Sequence, residues 1–262
     1  MLSPRLIAGL ATLGALVAAT VPASPASATP AALPPAGAPF STGAAPFSAG
    51  EAASSSAPFS AGVAAPATTV TPAGHAFTAS LVAGTTADFQ VGAVTSTCTA
   101  SSTSGAVPAA PGNASADGPV TSAVTPPTFT DNGGACPTGI FFTTASTIAN
   151  STNGDWTVGL QYHASGSTGT LTIPRAGVIS TISGLASCVI TVAPDGPASI
   201  TGPWVPGTTT AAPQLDFSAG VPVPVTVTGG FGCPTASTSA IFSARYSVAD
   251  TTAPATRITV GP

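Results

Sequence analysis

Gly134-Ala135-Cys136-Pro137-Thr138 returns later in the chain as Phe231-Gly232-Cys233-Pro234-Thr235, and a pair of glycines begins or precedes each copy. The chain has four cysteines. Each Cys-Pro-Thr follows an earlier cysteine, which is Cys98 for the first copy and Cys188 for the second. The repeat therefore predicts two related β units in tandem, each closed by its own disulfide.

Four cysteines allow three pairings, and the repeat favours Cys98 with Cys136 and Cys188 with Cys233. An exported chain meets an oxidising environment, which favours disulfides over metal binding or thiol catalysis. In the chain-entropy model, each cross-link of this length contributes about 4 kcal/mol. We therefore expect the four cysteines to act as structural disulfides.

The first 28 residues have the features of a secretory signal peptide. Arg5 precedes a short apolar run, and Ala26-Ser27-Ala28 supplies the small residues that signal peptidase requires. The apolar run is shorter than the ~20 residues that span a bilayer. We expect cleavage after Ala28 and a secreted protein, either extracellular or loosely associated with the cell surface, that does not insert into the membrane.

Residues 29–72 are rich in Ala, Pro, Ser and Gly, and this composition predicts a disordered tether. An Ala-Pro-Phe-Ser motif occurs three times within it, with its aromatic side chains at Phe40, Phe47 and Phe59. The segment is either a simple spacer or a spacer with adhesive aromatic motifs, and the sequence leaves both interpretations open.

Charged residues make up only 5% of the chain, and lysine is absent. Without Arg5, the mature chain keeps three arginines against eight acidic residues, a net charge of −5. Nucleic acids and anionic membranes are bound through clusters of Lys and Arg. The composition therefore excludes both as partners.

From about residue 75, apolar and polar residues alternate with period two between turn residues, as in half-buried strands. Asn153-Gly154 predicts a hairpin turn, and the prolines within Val221–Thr228 predict an edge strand. We therefore predict an all-β protein with two tandem disulfide-stapled immunoglobulin-like β-sandwich domains, one over residues 73–164 and one over 165–262.

The chain resembles the secreted, Thr/Ala/Gly-rich immunoglobulin-like proteins of high-G+C bacteria over about residues 75–262. The resemblance rests on the Cys-Pro-Thr motifs, on the segment Ser180–Cys188 and on composition. Cys188, Trp204 and Cys233 follow the Cys-Trp-Cys order of immunoglobulin domains. The resemblance implies a sandwich architecture and brings no functional residues with it.

The residues available for catalysis are few. A secreted hydrolase would need a histidine with an acidic partner, and His163 with Asp155 is the pair that we consider. Serine is too abundant to indicate a nucleophile, and no Gly-x-Ser-x-Gly motif occurs. The histidines are too far apart in sequence for a usual metal motif. We therefore predict no enzyme activity, no metal and no cofactor.

Aromatic and polar side chains remain as candidates for recognition. Trp156 lies in an inward alternation and is expected in the core, whereas Trp204 is flanked by Gly and Pro. Trp204, His163 and Gln161 are the predicted binding surface. We expect a non-enzymatic binding or structural protein with an extracellular protein or glycan as partner. The alternative is a carbohydrate- or cell-wall-binding module that uses Trp204.

Overall fold

The computed structural model describes residues 65–262, and within this range the chain is all-β. None of these residues forms a helix that could cross a bilayer. The prediction of an all-β protein is confirmed. The strands are β1 (Thr68–Thr71), β2 (Ala76–Leu81), β3 (Ala87–Val91), β4 (Val94–Cys98), β5 (Ala100–Ala106), β6 (Ala114–Ser115), β7 (Val120–Val124), β8 (Thr128–Thr130), β9 (Cys136–Pro137), β10 (Thr143–Ala149), β11 (Trp156–Gln161), β12 (Thr168–Ile173), β13 (Val178–Gly184), β14 (Cys188–Val192), β15 (Ala198–Val205), β16 (Gln214–Asp216), β17 (Val221–Gly229), β18 (Ser239–Ser243), β19 (Arg245–Asp250) and β20 (Thr259–Gly261).

The strands form two large antiparallel sheets and one small one. The first large sheet has the order β4-β3-β18-β17-β14-β13-β10-β9, and the second has the order β2-β19-β16-β15-β12-β11-β7-β5-β8. A separate three-stranded sheet has the order β20-β1-β6. Alternation along each strand sends one set of side chains inward, as in β15, where every second residue is buried.

Both large sheets close on themselves and are barrel-like. In the first, a bridge between Ser96 and Thr138 joins β4 to the chain just after β9, and Gly139 N donates to Thr95 O at 2.9 Å. In the second, β5 pairs with β2 as well as with β7 and β8. We call them the first ring and the second ring. Closure pairs edges that would otherwise offer free hydrogen-bonding groups to another chain.

Both halves of the chain contribute strands to both rings. In the first ring β3 pairs with β18, which sets Phe89 opposite Phe242, and in the second ring β2 pairs with β19. The predicted boundary at 164/165 falls in the turn of the β11–β12 hairpin, within the second ring. The two tandem sandwiches are therefore not confirmed. Alternation specifies which face of a strand is buried but not which strand pairs with it.

The structure pairs Cys98 with Cys136 and Cys188 with Cys233, as the repeat predicts, with Cα–Cα distances of 4.9 and 5.7 Å. The bridged residues are 38 and 45 positions apart. Both disulfides belong to the first ring. The first joins β4 to β9 beside the closing bridge, and the second joins the start of β14 to the loop after β17. Disulfides of this kind are typical of an oxidising environment.

A single core fills the rings. Trp156 is fully buried and donates its indole N–H to Asn150 O at 2.8 Å. Phe89, Phe129, Phe217 and Phe242 form a chain of aromatic contacts, with ring centroids 4.8 to 6.0 Å apart between Phe89 and Phe242 and between Phe217 and Phe242. Because these side chains come from both rings, the cluster joins the two interiors.

Two further expectations need correction. β1 lies inside the predicted tether of residues 29–72, and Thr68 and Val70 of β1 are buried. The predicted signal peptide and the rest of the tether, including Phe40, Phe47 and Phe59, lie outside the described residues. β17 is an interior strand, not an edge strand, because Val221–Pro224 pairs with β18 and Val225–Gly229 with β14. Its prolines are tolerated because they lie in the half that has one ladder partner.

Opening the Cys98–Cys136 disulfide is expected to loosen the first ring where it closes. Replacing both cysteines by serine should reduce the free energy of unfolding by about 4 kcal/mol. Hydrogen exchange should accelerate in β4 and β9, and urea denaturation should show the lost stability. The double serine variant at Cys188 and Cys233 is the matched control. It should lose comparable stability while β4 and β9 stay protected, and equal exchange in both variants would contradict the closing role.

Tyr246 provides a test of the second ring's interior. Its hydroxyl hydrogen-bonds Ser101 Oγ at 2.8 Å, and burial, only partly offset by that bond, raises its pKa to about 12. Because the neutral phenol is favoured in the fold, the unfolding free energy should fall as the pH rises from about 10 towards 12. Absorbance titration at high pH should show a late phenolate phase. Tyr246→Phe should lack that phase, and its persistence would contradict the assignment.

Candidate functional site

Four loops meet at one end of the first ring. They join β3 to β4 (92–93), β9 to β10 (138–142), β13 to β14 (185–187) and β17 to β18 (230–238). The strand pairing fixes their position, because Thr143 lies opposite Gly184 and Cys188 lies opposite Gly229. A side chain at Gly92 would contact Pro234 and Ser237, which links the first and last loops. We call this surface the apolar end.

Four large apolar side chains of the apolar end are exposed to solvent. The exposed fraction is 84% for Phe141, 85% for Phe142, 73% for Leu185 and 99% for Phe231. Such residues are normally scattered singly on a protein surface. Here they follow or precede neighbouring strands, and at about 4.8 Å per strand the four positions span on the order of 15 Å. We call these four side chains the apolar tips.

The four loops carry no charged residue and no histidine. The loops at the opposite end of the same strands do carry charge, with Asp155 before β11, Arg175 before β13 and Asp195 after β14. At about 3.3 Å per residue, the seven residues of β10 separate the two ends by roughly 20 Å. The four most exposed large apolar side chains of the described residues therefore lie at an uncharged end, while the loops at the opposite end carry charge.

The Phe141-Phe142 turn is held by local hydrogen bonds. Thr143 Oγ1 donates to Ile140 O at 2.9 Å, Ile140 N donates to Thr138 Oγ1 at 3.2 Å, and the two threonine hydroxyls contact each other. Phe142 has a φ of 55°, and a Cβ at Gly184 would collide with its carbonyl. Only glycine fits the end of β13 while this turn keeps its place.

The Cys188–Cys233 disulfide anchors the loop that carries Phe231. Cys233 N donates to Gly230 O at 3.2 Å, which makes a tight turn around Phe231. A Cβ at Gly229 would lie 2.5 Å from both Cys233 Sγ and Ser187 O, so the backbone packs directly against the disulfide. Both Cys-Pro-Thr copies thus adjoin loops that bear apolar tips.

The predicted binding surface of Trp204, His163 and Gln161 does not form. Trp204 is buried in β15 opposite Leu215, so its indole is not available as a surface platform. Gln161 is also buried, and its amide donates to Thr68 Oγ1 at 2.7 Å and Pro66 O at 2.9 Å. It holds β1 in place. His163 is half-buried, and its carbonyl accepts from Gly166 N in the β11–β12 turn.

The pair considered for hydrolysis is also separated. Asp155 and His163 flank β11, and eight residues at about 3.3 Å each place them roughly 25 Å apart. The geometry therefore gives no support to the hydrolase alternative. Within residues 65–262, no three His, Cys, Asp or Glu side chains lie close enough together to hold a metal ion.

The histidine that does pair with an acid is His75, which sequence reasoning did not select. Its Nδ1 lies 2.7 Å from Asp250 Oδ2, while Asp250 Oδ1 accepts from Thr252 N and Ala253 N at 2.8 Å. Burial raises the pKa of the Asp250 carboxyl, but the bonds from Ala253, His75 and Thr252 outweigh it, so its pKa lies below the ordinary value. The His75–Asp250 pair joins the residue before β2 to the end of β19.

An apolar cavity of about 70 Å³ is lined by residues of both rings, with Trp156, Trp204 and Tyr246 from the second ring and Phe242 from the first. Pockets for drug-sized ligands have volumes of about 300–1,000 Å³. The cavity is therefore too small for such a ligand, and the apolar end is the stronger candidate site.

Sequence reasoning missed the apolar tips. Ile140–Thr144 reads as one strand, yet β10 begins at Thr143, so Phe141 and Phe142 lie in a turn. A signal was present in the pattern: Phe231 stands between glycines, and Phe141 closely follows Pro137 and Gly139. This signal alone does not decide exposure, because Trp204 also stands among glycines and prolines and is buried.

Comparison of the chain with protein-family models, with curated proteins and with solved structures finds no match. The function proposed below is therefore derived from the chain's own residues.

Replacing Gly184 by Ala is expected to displace the Phe141-Phe142 turn. Gly184 has a φ of 129°, and the added Cβ would meet the Phe142 carbonyl, so we expect a loss of about 1–3 kcal/mol in unfolding free energy. Urea denaturation and hydrogen exchange at residues 140–143 measure the effect. Gly196→Ala is the control, because its Cβ would meet nothing. Unchanged exchange in the Gly184 variant would contradict the packing.

Proposed function

We propose that this protein is a secreted, non-enzymatic binding protein that docks on a partner at the cell exterior through its apolar end. Four exposed apolar tips support this proposal. They lie on loops that hydrogen bonds and a disulfide hold in place. Large apolar side chains that are exposed together on one surface are costly in water and mark interaction sites.

The energetics favour a reversible contact. Full burial of a Phe or Leu side chain contributes about 1.5–3 kcal/mol. Association itself costs an estimated 4–15 kcal/mol. Burial of the four tips therefore gives a modest affinity. Because the loops are already held in place, little conformational entropy is lost on docking, which favours binding.

Export is part of the proposal and is supported by two independent features. The N-terminal sequence has the signal-peptide pattern, and the disulfides suit an oxidising compartment. Membership of the immunoglobulin-like secreted proteins of high-G+C bacteria remains an expectation that rests on the sequence resemblance. The glycan-binding alternative loses its main support because Trp204 is buried.

The test uses the mature chain and intact cells of the producing strain. A triple variant, with Phe141, Phe142 and Phe231 each replaced by Ser, should lose at least about tenfold in saturable binding to the cell surface. A control variant replaces Ile148 and Ile179 by Ser. These two residues are an exposed apolar pair towards the other end of the same strands, and their loss should leave binding unchanged.

Near-UV circular dichroism establishes that both variants are folded. Wild-type protein that fails to bind, or a triple variant that binds as well as the wild type, would contradict docking through the apolar end. Equal losses in both variants would place the contact elsewhere on the first ring.

A further inference from the structure

Resting on the proposed function, we propose that the partner of the apolar end is a lipid surface without net charge, which the apolar tips enter to shallow depth. Three features support a lipid partner: the exposure of the tips, the charge around them and the backbone beneath them.

The apolar tips project separately into solvent. Phe231 is 99% exposed, and Phe141 and Phe142 are exposed to 84% and 85%. Side chains that line a groove or pocket would cover one another and be partly buried. A protein partner would therefore have to supply a matching pocket for each tip, whereas a fluid acyl layer accepts separate projections in any arrangement.

The charge distribution selects the kind of lipid. Binding to anionic lipids uses Lys and Arg close to the membrane contact, and the four loops of the apolar end have neither. The arginines of the described residues lie elsewhere: Arg175 is at the opposite end of the first ring, Arg245 pairs with Asp216 at 2.9 Å, and Arg257 donates to Thr209 O. Acidic residues are also absent from these loops, so no charged side chain has to lose its hydration when the tips enter the lipid.

Hydroxyl side chains accompany the tips, some in the same loops and some at the ends of the adjoining strands. Ser183, Ser187, Thr228 and Thr235 are exposed at or beside the same loops. They suit the hydrated headgroup layer, where uncharged donors and acceptors exchange bonds with water and with zwitterionic groups. The surface around the tips is therefore polar but uncharged, as a contact with headgroups requires.

The backbone limits how deep the contact goes. The tips lie on turns, and exposed turn backbone has polar groups that hydrocarbon cannot satisfy. Entry is therefore confined to the side chains. This revises the expectation of no membrane insertion only in part, because a peripheral contact of four side chains does not span a bilayer.

The experiment is sedimentation of the mature, disulfide-bonded chain with vesicles. Phosphatidylcholine vesicles should bind the wild type. The triple variant (Phe141, Phe142 and Phe231 to Ser) should partition at least about tenfold less, while the Ile148/Ile179 control should match the wild type. Phe231→Leu in the wild-type background should keep most of the binding, because it keeps the apolar tip.

The composition of the vesicles separates this mechanism from electrostatic adsorption. Adding a minor fraction of phosphatidylglycerol, or raising the salt concentration, should not strengthen or abolish binding. Binding that requires phosphatidylglycerol would overturn the proposal, and so would wild-type protein that stays in the supernatant of phosphatidylcholine vesicles.

Failure of the lipid proposal is distinguishable from failure of the proposed function. If vesicles do not bind the wild type but cells do, and protease treatment of the cells abolishes tip-dependent binding, then the partner is a protein and only the lipid proposal falls. If the triple variant equals the wild type on cells and on vesicles alike, both proposals fail.

Discussion

The closure between β4 and the chain after β9 is the constraint on which the first ring depends. The Ser96–Thr138 bridge and the bond from Gly139 N to Thr95 O complete a circuit of eight strands, and the Cys98–Cys136 disulfide ties the same two strands. β9 is only two residues long, so its ladder alone is a weak support. The covalent link offsets that weakness. Because the loop with Phe141 follows at once, closure also positions the apolar end.

The sparse charge of the chain is matched by a hydroxyl-rich surface. Thr170 and Thr201 hydrogen-bond across β12 and β15 at 2.8 Å, and Thr172 bonds Ser199 on the same face at 3.1 Å. Such cross-strand pairs add modest stability and keep the sheet face polar without ions. The surface therefore resists changes in salt and pH better than one built on ion pairs.

The local features of the fold could be predicted from the sequence, and its long-range pairing could not. Alternation located strands such as β17, because it is a property of neighbouring residues, and the repeated Cys-Pro-Thr indicated both disulfides, because a duplicated motif can be recognised at any separation. β3 pairs with β18, and the two strands are too far apart in the sequence for a periodic pattern to indicate their pairing. Trp204 shows the same limit, since its glycine and proline neighbours suggest exposure while the ring around it imposes burial.

Each ring contains strands from both halves of the chain, and this has a consequence for how the chain reaches its native state. β2 pairs with β19 and β3 pairs with β18, and both partners lie near the other end of the chain. Neither ring can be completed until the last strands have left the ribosome. Topologies dominated by such distant contacts fold slowly. The chain therefore stays without a finished fold until its last strands emerge, which is compatible with the export proposed above.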